Sequence, residues 1–345
     1  MKRVLCFRII AIAGLVLSSC NFQVATPSIA SSPTSPPPTF TFTPTPTPTP
    51  TSTPAPTSTP APSPTSSPLP TPTFPGPSQD SAIDIPPAVD PITFAPDTVN
   101  IILLGSDKRP NLGGYRTDTL MIASLNPAEG TGTLLSIPRD LYVYIPGWKI
   151  SRINTAEPRG GFEMIANTVL YNFGIPLQHW VRVQFTGLSQ AVDLLGGIKV
   201  QSTGNLYDEC GGTYYSYGQG EYSMDGFTAL CYVRMRKTSS DFDRLRRQQE
   251  VVRAMTAKVI SIDGLEKVPE LFDLFHHTFA TDMRLDDLIE LVPLAASLAM
   301  DPTSIRQFSI TQNMTEGFRV PGTGAAVLLP RRDLIQAMLT EAFGD

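Results

Sequence analysis

VNIILLGSDKR, at residues 99–109, decides how the chain folds. Its first six residues are apolar apart from Asn100 and rich in β-branched side chains, which predicts a strand buried in a sheet. Gly105 ends the apolar run, and charged residues follow at once. Two more strands are predicted next, DTLMIASL at residues 118–125 and GTLLSI at residues 132–137.

Helices and strands continue to alternate through the rest of the chain. Apolar residues spaced three and four apart predict helices, and alternating apolar residues predict strands. The predicted helices cover residues 162–173, 188–195, 243–261, 266–276, 284–299 and 331–343, and the predicted strands cover residues 179–185, 198–201 and 304–310. Strands mixed with helices imply a sheet covered by helices, so the predicted fold class is α/β.

An export signal and a spacer are predicted ahead of the folded part. Residues 1–19 combine a basic start with a short apolar run, which is typical of a signal peptide. LSSC at residues 17–20 resembles a bacterial lipobox, so we expect Cys20 to carry a lipid anchor; an ordinary signal peptide is the alternative. Residues 20–96 are predicted to form a disordered stalk, because 19 of the 34 Pro fall within residues 26–77 and Pro blocks helix and sheet. The domain is therefore predicted to span residues 97–345.

Composition argues against two classes of protein. The 345-residue chain has a net charge of −5 and no block of Lys and Arg, so we expect no binding to nucleic acid through phosphate charge. No run of 18 apolar residues occurs, which excludes a multi-pass membrane protein. The basic residues are 19 Arg and 7 Lys, and Arg is well suited to bind phosphate or carboxylate. A simple composition bias is the other interpretation.

Cys210 and Cys231 are the two Cys of the predicted domain. An exported protein can form a disulfide, and the Gly-rich sequence between them suits a hairpin, but bridged and unbridged states both stay open. A metal site is not expected here, because the chain has 3 His and none lies near these Cys.

Charged side chains collect at the ends of predicted strands and at the start of a long predicted helix. With one amide they are Asp107, Arg109, Arg116, Asp118, Arg139, Arg234, Arg236, Asp241, Arg244, Arg247 and Gln248. Strand ends are where open α/β sheets bind ligands. Several Arg can bind a diphosphate through forked hydrogen bonds, and a pair of Asp can hold Mg²⁺ against phosphate oxygens. The alternative is a set of solvated charges and ion pairs.

At these residues the sequence resembles the LytR–CpsA–Psr family of bacterial cell-wall assembly enzymes. The matching stretches, in the family's order, are NIILLGSDKR, YRTDTLMIASLNP, LLSIPRDLYVYIP, INTAEPRGG, LLGGIKV, ALCYVRMR and DFDRLRRQQ, within residues 100–249. The resemblance implies a central mixed sheet wrapped by helices, with an apolar tunnel for a polyprenyl tail. It also implies a Mg²⁺-dependent transfer of a glycan phosphate from a polyprenyl-pyrophosphate carrier to peptidoglycan, on the outer face of the membrane.

The same resemblance implies roles for individual residues. Asp107 and Asp118 match the metal ligands of the family. Matches to the pyrophosphate-binding positions are Arg116, Arg139, Arg234, Arg236 and Arg244, with Asp241 and Gln248 as supporting or acceptor-side groups and with Arg109 and Arg247 as further substrate contacts. The proton acceptor is either Asp241 or Asp118, and the sequence does not choose between them.

Two segments depart from the family pattern. INTAEPRGG at residues 153–161 matches it only in part, because the family tends to have small and aromatic residues before the Gly pair, and the other segment is a Cys-bearing, Tyr-rich insertion at about residues 207–222. Both are expected to affect the choice of acceptor or glycan rather than the phosphate chemistry. Two alternative functions use the same residues: a lipid pyrophosphatase with water as acceptor, and a non-catalytic regulatory lipoprotein that binds polyprenyl phosphate.

Overall fold

The computed structural model describes residues 72–109, 114–237, 239–261, 279–301 and 304–344. The predicted signal peptide, Cys20 and most of the predicted stalk lie outside these residues, as does the helix predicted at residues 266–276.

Strands and helices alternate along the described part of the chain. The strands are β1 (Val99–Arg109), β2 (Gly114–Asn126), β3 (Thr131–Ile137), β4 (Tyr142–Tyr144), β5 (Ile150–Arg152), β6 (His179–Gln184), β7 (Ile198–Ser202), β8 (Leu206–Cys210), β9 (Thr213–Tyr217), β10 (Gly220–Met224), β11 (Phe279–Thr281), β12 (Ile305–Ser309), β13 (Thr315–Arg319) and β14 (Ala326–Pro330). The helices are α1 (Ala156–Phe173), α2 (Phe185–Leu194), α3 (Gly226–Arg234), α4 (Asp241–Ile260), α5 (Leu285–Glu290), α6 (Val292–Met300) and α7 (Arg332–Phe343). None of these helices is long and apolar enough to cross a bilayer. The predicted α/β class is confirmed.

The central sheet has six strands in the order β11-β6-β1-β2-β3-β12. β1, β2 and β3 form an antiparallel meander, because their connections are short. β6 joins β1 in parallel, and β12 joins β3 in parallel. The sheet is therefore mixed, as the family resemblance implies, and the strand that opens with Val99 lies near its middle.

Helices cover both faces of the sheet. Ile102, Leu104, Leu120 and Ile122 are almost fully buried on one face, in a core shared with α1 and α7. The alternate residues of the same strands, such as Met121, point to the other face and pack near α4. Because successive side chains of a strand point to opposite faces, two-sided burial explains why these strands are nearly continuous apolar runs in the sequence.

A β-bulge interrupts the pairing of β1 with β2. Gly105 pairs with Thr119 but the next residue, Ser106, pairs with Thr117, so Asp118 is the extra residue on β2. A bulge re-aims the side chain of the extra residue, and bulges are common beside active sites. Gly105 is required here, because a Cβ at this position would lie 2.7 Å from the Thr119 Cβ.

Two helices differ from their predicted bounds for identifiable reasons. The helix predicted to begin at residue 162 begins at Ala156 and is kinked at Gly160 and Gly161, the second of which has a φ of 65°. The helix predicted at residues 284–299 is two helices, α5 and α6, separated at Leu291, with Pro293 in the first turn of α6. Pro lacks the N–H that a continuous helix would need at this position.

The Tyr-rich insertion forms a hairpin of β8 and β9, which we call the tyrosine hairpin (residues 206–217). A disulfide joins Cys210 at its tip to Cys231 in α3. Tyr217 is buried on the inner face of the hairpin and packs edge-on against Tyr232 of α3. The hairpin is thus fixed to α3 by a covalent bond and by aromatic packing.

Residues 74–94, which we call the strap, lie against the domain without helix or strand structure of their own. Tyr144 and Tyr171 donate hydrogen bonds to the carbonyls of Pro75 and Pro86, at 2.9 and 2.7 Å. Since Pro has a carbonyl but no N–H, it can serve such contacts only as an acceptor.

The folded part therefore begins before residue 97, the predicted boundary. Ile83 and Ile85 of the strap pack against a small core that includes Tyr142 and Val327, and Phe94 lies 5.3 Å from the ring of Phe343. The prediction of a stalk as far as residue 96 is corrected by these contacts, because the strap buries apolar side chains that a free spacer would leave in water.

Candidate active site

A pocket of about 300 Å³ lies beside the bulge, between the end of β6, the start of α2, the end of α3 and the start of α4. Its apolar wall is formed by Leu103, Leu104, Met121, Val183, Phe185, Leu188, Val233, Val251 and Val252. Its polar lining is formed by Asp118, Thr119, Arg139, Gln184, Arg234, Arg236, Arg244 and Gln248. The pocket therefore combines an apolar wall with several guanidinium groups.

Asp118, the bulged residue, is held by the Arg that follows β3. The Arg139 Nη1 donates to Asp118 Oδ1 at 2.5 Å, and both side chains are largely buried. Arg244 from α4 donates to the backbone carbonyl of Asp118 at 3.3 Å. Three segments far apart in sequence thus meet at the bulge.

Asp241 lies among three Arg side chains. Its Oδ1 is 2.9 Å from Arg244 Nη2, 3.5 Å from Arg236 Nη2 and 3.8 Å from Arg139 Nη2. Asp241 is the first residue of α4, where a negative charge interacts favourably with the helix dipole. Ser240, which precedes it, caps the helix by accepting a hydrogen bond from the N–H of Asp243. We call Asp118, Arg139, Arg236, Asp241 and Arg244 the arginine–aspartate cluster.

The cluster carries more positive than negative charge, with three guanidinium groups against two carboxylates. Arg234, which also lines the pocket, adds a fourth guanidinium, 4.8 Å from the ring centroid of Phe185. Such an excess of fixed positive charge beside an apolar wall suits an anionic group attached to a hydrophobic tail.

Burial and charge shift the pKa values of two of these Arg in opposite directions. Burial lowers the pKa of Arg244, and the neighbouring Asp241 offsets only part of that effect because Arg139 and Arg236 repel it. Burial also acts to lower the pKa of Arg139, but its hydrogen bond to Asp118 and the charges of Asp118, Asp241 and Asp140 outweigh burial and raise the pKa. Of these two Arg, Arg244 is therefore the one whose positive charge is less compensated, and an added anion would stabilise its charged form.

Several polar atoms of the pocket are buried without a hydrogen-bond partner among the described residues. They are Arg139 Nε, Asp241 Oδ1, Arg244 Nε and Gln248 Oε1, although two of them lie within ion-pair distance of an opposite charge: Asp241 Oδ1 is 2.9 Å from Arg244 Nη2, and Arg139 Nε is 3.4 Å from Asp140 Oδ2. Buried polar atoms are almost always satisfied in folded proteins, so a concentration of unsatisfied atoms in one pocket indicates a place where a ligand binds.

The structure brings most of the predicted site residues together, but one of them faces elsewhere. Arg247 is buried and donates to the carbonyls of Tyr232 and Met235 and to the Ser239 hydroxyl. It holds the segment between α3 and α4 in place and does not line the pocket. The side chains of Asp107, Arg109 and Arg116 lie outside the described part of the structure; the backbone pairs Asp107 with Arg116 across β1 and β2.

The structure also identifies supporting residues that the sequence did not indicate. Asp208 of the tyrosine hairpin accepts hydrogen bonds from the backbone N–H groups of Arg236 and Lys237, at 2.7 and 2.8 Å. It thereby positions the segment that carries Arg236. Nothing in the sequence pairs a hairpin residue with a loop 28 positions later.

A buried carboxylate lies beneath the bulge as well. Glu157, within the atypical segment at residues 153–161, accepts from the Thr117 hydroxyl at 2.9 Å and from Arg182 at 2.8 Å. Since Thr117 precedes the bulged Asp118, this network supports the backbone of the site. The only sequence signal for Glu157 is its place inside one of the motifs that match the family.

The donor set of the site suits Mg²⁺ rather than zinc. Among the described side chains no group of three or more His, Cys, Asp and Glu comes together. Mg²⁺ needs only one or two carboxylates when substrate phosphates and water complete its octahedron. Asp118 offers such a carboxylate at the pocket, and Asp107 lies on the adjacent strand at the same end.

Comparison with known proteins points in one direction. The polyisoprenyl-teichoic acid–peptidoglycan teichoic acid transferase TagU of Oceanobacillus iheyensis is 34% identical over 223 residues, a match that covers 62% of this chain and 68% of TagU. A crystal structure of TagV from B. subtilis has a TM-score of 0.61 at 24% identity and covers 71% of this chain and 97% of that chain, a likeness that shows the fold. A structure of TagT bound to LIIa-WTA has a TM-score of 0.58 at 26% identity and covers 75% of this chain and 97% of TagT.

A family model gives the widest match. It is the model of the LytR_cpsA_psr family, and it spans residues 79–341, including most of the strap, the whole sheet and every member of the arginine–aspartate cluster. Agreement over this length confirms the resemblance drawn from seven short motifs, and the chain belongs to the LytR–CpsA–Psr family.

Proposed function

We propose that this protein transfers a glycan phosphate from a polyprenyl-pyrophosphate carrier to peptidoglycan. The observation that carries the proposal is the pocket itself, in which an apolar wall adjoins an arginine–aspartate cluster with unsatisfied buried polar atoms. TagU is named as a polyisoprenyl-teichoic acid–peptidoglycan teichoic acid transferase, TagT has been solved bound to LIIa-WTA, and this chain shares the fold of TagT.

The carrier would bind with its two chemically different parts in two regions of the pocket. The isoprenoid tail would contact apolar residues such as Leu188, Val251 and Val252, where burial of hydrocarbon is favourable. The diphosphate would contact Arg139, Arg236 and Arg244, whose forked donors match phosphate oxygens. The long contacts of Asp241 with Arg139 and Arg236 are the ones that a diphosphate would most readily replace.

Transfer proceeds by attack of a sugar hydroxyl of peptidoglycan on the glycan-linked phosphorus, and the proton of that hydroxyl passes to the carboxylate of Asp241 or Asp118. The bond from that phosphorus to the bridging oxygen breaks, and polyprenyl phosphate leaves with the electron pair of that bond. The reacting phosphate is negatively charged throughout, so the enzyme contributes mainly the position of the reactants and electrostatic stabilisation. The Arg side chains would therefore act by stabilising the charge that spreads over the phosphate oxygens.

Asp118 and Asp107 would hold a Mg²⁺ ion at the same place. When bound, the ion would neutralise charge on the phosphate oxygens and on the leaving group. In the described structure Arg139 forms an ion pair with the Asp118 carboxylate, and we expect this ion pair to lengthen or shift when the metal and the phosphate bind.

We also propose that Cys20 is lipidated and that the protein works on the outer face of the membrane. LSSC at residues 17–20 supports this, as does a long segment without charged residues between Cys20 and the strap. Labelled palmitate should be incorporated by the wild-type protein and lost in Cys20→Ala; labelling that persists in the variant would exclude Cys20 as the site.

The test of the transfer uses residues 72–345 with a lipid-linked glycan diphosphate, Mg²⁺ and purified peptidoglycan. Transfer attaches glycan phosphate to the wall material, whereas a pyrophosphatase releases free glycan phosphate, and a binding protein gives no product. Arg236→Ala should lower the rate at least about tenfold, equivalent to roughly 1.4 kcal/mol in the barrier. About half of the Arg236 side chain is exposed, so its loss should leave folding intact.

Arg319→Ala is the matched control, because Arg319 is an exposed Arg on β13, away from the pocket. It should retain full activity. Unchanged transfer by Arg236→Ala would contradict the role given to the cluster, and unchanged transfer in excess chelator would contradict the metal.

A further inference from the structure

The tyrosine hairpin presents a flat aromatic surface to solvent. Side chains of β8 and β9 alternate, so that Leu206 and Tyr217 are buried while Tyr207 and Tyr214 are 48% and 57% exposed. The two exposed rings are nearly parallel, with an interplanar angle of 11° and centroids 5.6 Å apart. Exposed aromatic rings that lie next to each other, rather than scattered singly, indicate a binding surface.

The surface is rigid and adjoins the candidate active site. The disulfide at Cys210 and the packing of Tyr217 fix the inner face of the hairpin. Lys237 lies 5.7 Å from the Tyr214 ring, and it is the residue after Arg236 of the arginine–aspartate cluster. Asp208 of the hairpin accepts hydrogen bonds from the backbone N–H groups of Arg236 and Lys237. These bonds connect the hairpin to the segment that carries Arg236 of the cluster.

The chemistry of the surface matches a sugar ring. A pyranose has an apolar face of C–H groups and a rim of hydroxyls and amides; the first packs on an aromatic ring and the second needs polar partners at the ring's edge. Glu209, which pairs with Tyr214 across the hairpin, and Lys237 supply such partners. Glu209 and Lys237 balance in charge, which favours a neutral glycan over a polyanionic polymer.

We propose that Tyr207 and Tyr214 form a binding site for the glycan strand of peptidoglycan, the acceptor of the proposed transfer. The inference rests on the proposed function for the identity of the reaction, but the binding itself requires no turnover. A strand seated on the two rings would contact Lys237, the residue after Arg236, and a neighbouring sugar of the same strand would then supply the hydroxyl that attacks a phosphate held by the cluster.

The experiment measures binding of the full chain to purified peptidoglycan stripped of its anionic polymers, without lipid donor and without Mg²⁺. The Tyr207→Ala/Tyr214→Ala variant should bind at least about tenfold more weakly than the wild type. Tyr207→Phe/Tyr214→Phe keeps both rings and should retain most of the binding. Leu334→Ala, which removes another exposed apolar side chain on α7, is the control and should bind like the wild type.

Three results would overturn the proposal. The first is undiminished peptidoglycan binding by the double Ala variant with an unchanged melting temperature. The second is a loss of affinity for the glycan-bearing lipid donor with acceptor binding intact, which assigns the surface to the donor. The third is conversion of a dimer to a monomer by the same variant, which assigns the surface to a second copy of the chain.

Failure here is distinguishable from failure of the proposed function. A wild-type protein that transfers glycan while the double Ala variant binds peptidoglycan normally keeps the function and removes this site. A wild-type protein that does not transfer, but whose peptidoglycan binding depends on the two rings, removes the function and keeps the site.

Discussion

Reduction of the Cys210–Cys231 disulfide should destabilise the domain by a calculable amount. The bond closes a loop between residues 21 positions apart. In the chain-entropy treatment, opening a loop of this length lowers the free energy of unfolding by about 3 kcal/mol. For a domain of this size, that corresponds to a fall of about 6–12 °C in the melting temperature.

The assay is thermal unfolding of residues 72–345 with and without reductant, with free thiols counted in parallel. Cys210 and Cys231 are the only Cys in that range, so reductant acts on this bond alone. The Cys210→Ala/Cys231→Ala variant is the control: it should melt near the reduced wild type and should not respond to reductant.

A fully reduced protein that melts within about 2 °C of the oxidised protein would refute the reasoning. Such a result would mean that the other contacts of the tyrosine hairpin already restrict the loop. The Cys210→Ala/Cys231→Ala variant also tests function, because Cys231 lies in α3, the helix that ends at Arg234 and is followed closely by Arg236.

Three further predictions concern the elements that hold the site. Gly105→Ala should cost about 1–3 kcal/mol in urea unfolding, because its Cβ would meet the Thr119 side chain, and Thr119→Ala in the same chain should restore some of the loss. Asp225→Ala removes the N-cap of α3 and should cost about 1 kcal/mol in the same measurement; no change would contradict the capping bond to Thr228. Burial acts to raise the pKa of Asp208, but the hydrogen bonds from three backbone N–H groups outweigh it and lower that pKa. The ionised Asp208 carboxylate therefore stabilises the folded protein above about pH 4, and this stabilisation is lost as the pH falls through the lowered pKa. The melting temperature of Asp208→Asn should for this reason fall less than that of the wild type between about pH 5 and pH 2.

Much of the fold could be predicted because burial imposes a simple pattern on sequence. The strands at the centre of the sheet are covered on both faces, so their apolar runs stand out, and β3 lies close to its predicted bounds. β6 also lies close to its predicted bounds, which its alternating pattern indicated. β1 begins where predicted but continues beyond the apolar run, through Gly105 to Arg109. The bulge at Asp118 could not be predicted in this way, because it depends on the register between two strands rather than on either strand alone. The strap could not be predicted for a related reason: it has no periodicity, and many of its contacts are made through backbone carbonyls.

In the candidate site, too, some features could be predicted from the sequence and others could not. Matches to family motifs identified the guanidinium groups, and the structure brings Arg139, Arg236 and Arg244 to one pocket. Sequence could not separate Arg244 from Arg247, because residues three apart on a helix lie on nearly the same face. The structure separates the two, because Arg247 donates hydrogen bonds to the backbone carbonyls of Tyr232 and Met235 at the end of α3 and so points away from the pocket.

The strap has a mechanical consequence if the protein is anchored through Cys20, as we propose. Tension applied ahead of residue 72 would reach the contacts of Pro75 and Ser78 first and then those of Pro86. It would reach the first residue of β1, Val99, only afterwards. Because these contacts are spaced along the strap, they would break in succession under a small load instead of all at once. A pull on the tether would thus peel the strap while the sheet and its pocket keep their shape.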